Sequence, residues 1–140
     1  MMEDTKKDFF DPRALVREGF IDKNGVLYFI NVPGNIDPAH HKEPTSKETW
    51  SHWRKENYAF FKQELSRLSS ESIVVDLGAG ELYFKDILER FRFIAVDFYP
   101  YPGVHIVCDL NRPLPFKDNS IDVLVLSNML EHSAEPQTLL

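Results

Sequence analysis

Three aspartates close three successive apolar runs in the second half of the chain. Asp76 ends "SIVVDL", Asp97 ends "RFIAVD" and Asp109 follows "VHIVC". A fourth run, "SIDVLVL", ends at Ser127 and Asn128. Directly after the first run comes Gly78-Ala79-Gly80. Glycine allows a tight turn and lets a ligand approach the backbone, because no Cβ stands in the way. A phosphate cradle would need a lysine followed by serine or threonine after such a turn, and the sequence has none. A dinucleotide turn would need a third glycine at position 83, which is Tyr83.

Asp76 separates the remaining ligands by charge. Beside a pyrophosphate its carboxylate repels, whereas beside an ammonium it attracts. A carboxylate also accepts two hydrogen bonds readily, which suits the vicinal hydroxyls of a ribose at Asp97 or the amino group of an adenine at Asp109. S-adenosylmethionine carries all three groups. A nicotinamide nucleotide is the alternative, because Asp97 also sits where a ribose-binding acid would.

These residues need an open α/β sheet to bring them together. Apolar runs alternating with helices or longer connections imply parallel strands joined by right-handed crossovers. In such a sheet ligands bind outside the carboxyl ends of the strands, where the topology switches direction. "LYFKDILERF" is the helix expected after the glycine turn. Upstream, Thr45 lies three residues before Glu48, a capping-box spacing. Trp50, Trp53, Phe60, Phe61, Leu65 and Leu68 then recur largely at helical spacing, predicting an amphipathic helix whose aromatic stripe belongs to the core, with the two tryptophans lining a ligand pocket as the alternative. Asn24-Gly25 before "VLYFINV" predicts a small β-hairpin.

The ordered segments "VVDLGAG", "AVDFYP" and "CDLNRPLPFKDNSIDVLVLSNMLEH" resemble the N-terminal portion of a class I S-adenosylmethionine-dependent methyltransferase, of the type 11-like group with an "LPF…SFD…EH" pattern. The resemblance covers about residues 72–140. It implies a Rossmann-like open, mainly parallel sheet with flanking helices, here cut short after the fourth strand. It also implies that Asp76, Gly78, Ala79 and Gly80 border the methionine moiety and that Asp97 binds the ribose. Phe98 would flank the adenine, Asp109 with Leu110 would hold its edge, and Ser127 would stand at the fourth strand end. The chain departs from the family at Leu82, where another glycine is usual. "GFIDKNGVLYFINVPG" is weakly similar to zinc-ribbon-like modules that precede some such enzymes, but it lacks their cysteines.

The division expected is an N-terminal extension over 1–44, carrying the hairpin, and a methyltransferase-like domain over 45–140 that is incomplete at its C-terminus. An exposed fourth-strand edge would be a place for self-association. The other function class is a non-catalytic methyltransferase-like binding module, for which Leu82 and the missing later strands speak.

Composition agrees with an ordinary folded domain. Of 140 residues, 43% are hydrophobic and 27% charged, and the net charge of -6 provides no broad nucleic-acid surface. Cys108 is the only cysteine, so no internal disulfide or thiolate metal cluster can form, and a reducing compartment, the cytoplasm, is expected. No metal site is expected. His40 and His41 are adjacent but lack partners by spacing, and Glu131-His132 is read as positional rather than catalytic, so no catalytic base is assigned. The acceptor of the methyl group is of unknown class.

Overall fold

The computed structural model describes residues 11–30 and 47–127. Strands β1 (Ile21–Lys23), β2 (Val26–Tyr28), β3 (Ile73–Leu77), β4 (Arg92–Asp97), β5 (Ile106–Val107) and β6 (Val123–Leu126) form one sheet in the order β1-β2-β5-β4-β3-β6. Helix α1 spans His52–Leu65 and helix α2 Lys85–Leu88. All pairings are parallel except that of β1 with β2. The chain leaves β3 for β4 on one side and later returns to place β6 on the other. The direction of winding therefore reverses at β3, and that switch point is where an open α/β sheet leaves a crevice for a ligand.

The hairpin forms for the reason its sequence suggests. Asn24 and Gly25 both take positive φ, 55° and 86°, as a type I′ turn requires, and the Asp22 carboxylate accepts from the Gly25 amide at 2.9 Å. Its second strand pairs with β5, Leu27 opposite Ile106, so the hairpin is an extension of the same sheet.

Strand β3 is buried along nearly its whole length, as expected of a parallel strand with neighbours on both sides. Its side chains alternate between two core clusters. Val75 and Leu77 join Val16, Leu27, Ile94, Val96 and Ile106 on one face. Val74 packs on the other with Leu65 of α1 and Ile87 and Leu88 of α2. Asp76, two residues beyond Val74, shares the helical face by the period-two rule. Removing such buried aliphatic groups from water stabilises the fold by roughly 1.5–3 kcal/mol per side chain.

Two helices differ from expectation. Helix α1 starts at His52, where the Ser51 hydroxyl accepts from the Arg54 amide at 3.2 Å, and Thr45 lies outside the described residues. Its aromatic stripe is split. Trp50 is buried against Tyr58, Tyr83 and Phe84, whereas Trp53 and Phe60 are 61% and 59% exposed. The second helix is confined to Lys85–Leu88, and Leu82, at φ 62°, is left-handed and so excluded from it. Cys108 is buried and the pKa of its thiol is pushed up to about 12, first by burial and then by Asp109, so it behaves as a small apolar residue.

Candidate functional site

The turn after β3 is fastened to β4. The Val96 carbonyl accepts from the amides of Gly78 and Ala79 at 2.8 and 3.1 Å. Gly78 and Gly80 both take positive φ, 73° and 55°, which their lack of a Cβ makes inexpensive. A Cβ built on Gly80 would meet nothing within 4 Å, so the backbone there is open to an approaching group.

Asp97 completes the fastening from the end of β4. One carboxylate oxygen accepts from the Gly80 amide at 2.9 Å and the other from the Tyr99 amide at 3.0 Å. Burial pushes its carboxyl pKa above the ordinary value, while the Tyr99 and Gly80 amides work against that shift. Each oxygen keeps a lone pair, so the group can still accept from a ligand hydroxyl.

Asp76 has no such support. It is 3% exposed, and its carboxyl group has no hydrogen-bond or ion-pair partner among the described residues. Burial first, and then the charge of Asp97, raise its carboxyl pKa to about 7. An unpaired buried carboxylate is costly unless a cation or a proton joins it.

A cavity of ≈ 210 Å³ lies over this turn. Asp76, Gly78, Ala79, Gly80 and Ser127 line it, which brings together five of the residues singled out from the sequence. Asp97 is attached through its bond to Gly80. Phe98, Asp109 and Leu110 lie outside the lining. Phe98 is 39% exposed and stands edge-on to Tyr99. Asp109 accepts from the Asn111 amide at 2.9 Å and pairs with Arg112 at 3.5 Å, while Leu110 packs against the core. Asn128, Glu131, His132, His40 and His41 lie outside the described residues, and no metal-binding cluster occurs among the described ones.

Of the rest of the lining, only Trp53 is hinted at by the sequence. Ser51, Trp53, Arg54 and Asn57 line the cavity from the start of α1, and Tyr83 from the turn before α2. Helical spacing assigns Trp53 to the core, with a ligand pocket as the alternative, and its charged neighbours to a solvent face; the structure puts both Trp53 and Arg54 at the cavity. The signal that could have found them is the face of β3: Asp76 shares it with Val74, which packs against α1. Leu82, the departure from the family pattern, does not line the cavity.

A glycine turn beside an acid at the end of the next strand, at the switch point of a mostly parallel sheet, agrees with the family resemblance, and the bond from the Gly80 amide to Asp97 is a feature the structure adds. A family model described as a methyltransferase domain matches residues 59–140, more than half of the chain. The chain belongs to the class I S-adenosylmethionine-dependent methyltransferase family. A search of the curated proteins finds no match. The methyltransferase domain assigns methyl transfer as the general activity, and its mostly parallel sheet is the Rossmann-like one expected. Among the described residues no helix is long and apolar enough to cross a membrane.

Proposed function

We propose that the chain binds S-adenosylmethionine at the ends of β3 and β4 and positions its methyl group for transfer to an acceptor. What carries the reading is Asp76: a buried carboxylate without a described partner, facing a cavity beside an open glycine turn. An ammonium is the group that such a carboxylate lacks. The donor set therefore fits the cofactor.

In this reading Asp76 holds the ammonium, and the Gly78–Gly80 backbone lies against the methionine chain. Asp97 accepts from the ribose hydroxyls through the lone pairs left by Gly80 and Tyr99. Phe98, Asp109 and Leu110 would belong to the adenine end, and Ser127 to the rim of the cavity. When bound, the cofactor supplies a methyl group on a cationic sulfur that leaves as a neutral thioether. The protein's own contribution is alignment, holding the sulfur end still while the acceptor approaches in line. The single buried cysteine adds a cytoplasmic location to the same proposal.

Isothermal calorimetry with S-adenosylhomocysteine, beside a thermal-shift comparison with nicotinamide dinucleotides, tests it. Saturable binding of the homocysteine product and a raised melting temperature are expected, since a ligand of the native state alone stabilises it. A chain that ignores both S-adenosyl compounds and is stabilised by a nicotinamide dinucleotide would reverse the assignment.

A further inference from the structure

The cavity wall carries a cation that has no role in the proposed function. Arg54, in the first turn of α1, lines the same cavity as Asp76. Its guanidinium carbon lies 3.6 Å from the centroid of the Tyr83 ring, a stacking distance. Arg13, Arg67, Arg92 and Arg112 each reach a carboxylate, whereas Arg54 forms no ion pair among the described residues. Glu81, the other acid of the lining, interacts with the Tyr83 hydroxyl.

Stacking fixes the plane of a guanidinium and leaves its N–H edges free, the presentation that suits a carboxylate in a two-point contact. The start of α1, a 14-residue helix, adds a partial positive charge to the same wall. The buried Asp76 carboxylate, which has no hydrogen-bond or ion-pair partner among the described residues, lines the same cavity. A pocket lined by both a stacked guanidinium and a buried carboxyl that a cation would ionise matches a zwitterion.

We propose that Arg54 is the carboxylate-binding residue of this cavity, so that Arg54 and Asp76 clamp the two charged ends of one α-amino acid group. The inference rests on the S-adenosylmethionine reading and adds a residue and a selectivity to it. Ligands that keep adenosine but lose the amino-acid end would forgo the clamp. Tyr83 acts as the platform that holds the guanidinium in place.

Calorimetry on the full chain and on Arg54→Gln and Arg54→Lys, with S-adenosylhomocysteine and with 5′-methylthioadenosine, separates the possibilities. The second ligand carries the same adenosine without the amino-acid end. Arg54→Gln should weaken S-adenosylhomocysteine by about tenfold or more, the loss of a charge-assisted hydrogen bond, and leave 5′-methylthioadenosine within about twofold. Arg54→Lys should retain part of the affinity. An Arg54→Gln affinity for S-adenosylhomocysteine within about twofold of wild type would overturn the clamp and leave the cofactor assignment standing; it is the result expected if Arg54 serves an acceptor carboxylate instead. Equal losses for both ligands would overturn it too, because they would mean a disturbed α1. Wild-type protein that binds neither ligand would overturn the cofactor reading itself, and the clamp with it.

Discussion

Leu82 and Gly103 interlock. A Cβ placed on Gly103 would lie 2.4 Å from Leu82 Cδ1, far inside van der Waals contact. Leu82 is itself left-handed at φ 62° and only 7% exposed. The leucine that stands where the family usually has glycine thus spends its side chain against the β4–β5 connection, outside the cavity lining. A left-handed backbone at a leucine costs of order 1–3 kcal/mol, and the absence of a Cβ at Gly103 is what leaves room for the side chain there.

Gly103→Ala should therefore destabilise the protein by about 1–3 kcal/mol, through both the clash and its own φ of 91°. Leu82→Ala in the same chain removes the clash. Denaturant unfolding of the double variant should show a smaller loss than the sum of the single ones, and strict additivity would contradict the interlock.

Asp76 should make stability fall as pH rises. Its folded pKa of about 7 lies above the ordinary aspartate value of 3.8. Between these values the unfolded chain has released the proton and the folded one retains it, so the unfolding free energy declines with pH across that window. Roughly three pH units at about 1.36 kcal/mol each amount to about 4 kcal/mol. Asp76→Asn should flatten the profile between about pH 5 and pH 8. Unfolding curves at those two values measure it, and an unchanged slope in the variant would assign the effect to another group.

The same titration bears on the ligand. Below about pH 7 the protonated Asp76 must lose its proton before it can meet an ammonium. Affinity for S-adenosylhomocysteine should decline as pH is lowered from about 8 to about 6, with proton release on binding visible in calorimetry as a dependence on buffer ionisation heat. Affinity that stays level over this range would count against an ammonium at Asp76.

Asp97→Asn should weaken S-adenosylhomocysteine and 5′-methylthioadenosine alike, by about tenfold, because the ribose is common to both. That pattern contrasts with the one expected at Arg54. A loss confined to the longer ligand would move Asp97 away from the ribose.

Helix α1 provides a comparison of core and surface. Leu65→Ala, at 5% exposure, should cost about 2–5 kcal/mol, whereas Phe60→Ser, at 59%, should stay within about 0.5 kcal/mol. Thermal unfolding of the two variants reads the difference, and a Phe60 effect as large as that of Leu65 would show that this aromatic is covered.

Local chemistry made the parallel sheet, the hairpin and the glycine turn legible without coordinates. Apolar runs ending in acids mark strand ends, and Asn24-Gly25 carries its own backbone preference. Five cavity residues, Asp76, Gly78, Ala79, Gly80 and Ser127, came from that same logic, because a strand end is a position along the chain. The start of α1, the exposure of Trp53 and Phe60, and the left-handed Leu82 were not legible. Periodicity states that a helix has an apolar side, but not how far that side is covered, since coverage depends on what packs across from it. What only the tertiary structure decided is the meeting of Arg54 with Asp76 in one cavity. Most of α1 and the connection after it separate them in the chain. Their proximity follows from the side of β3 on which Val74 and Asp76 emerge and against which α1 buries Leu65.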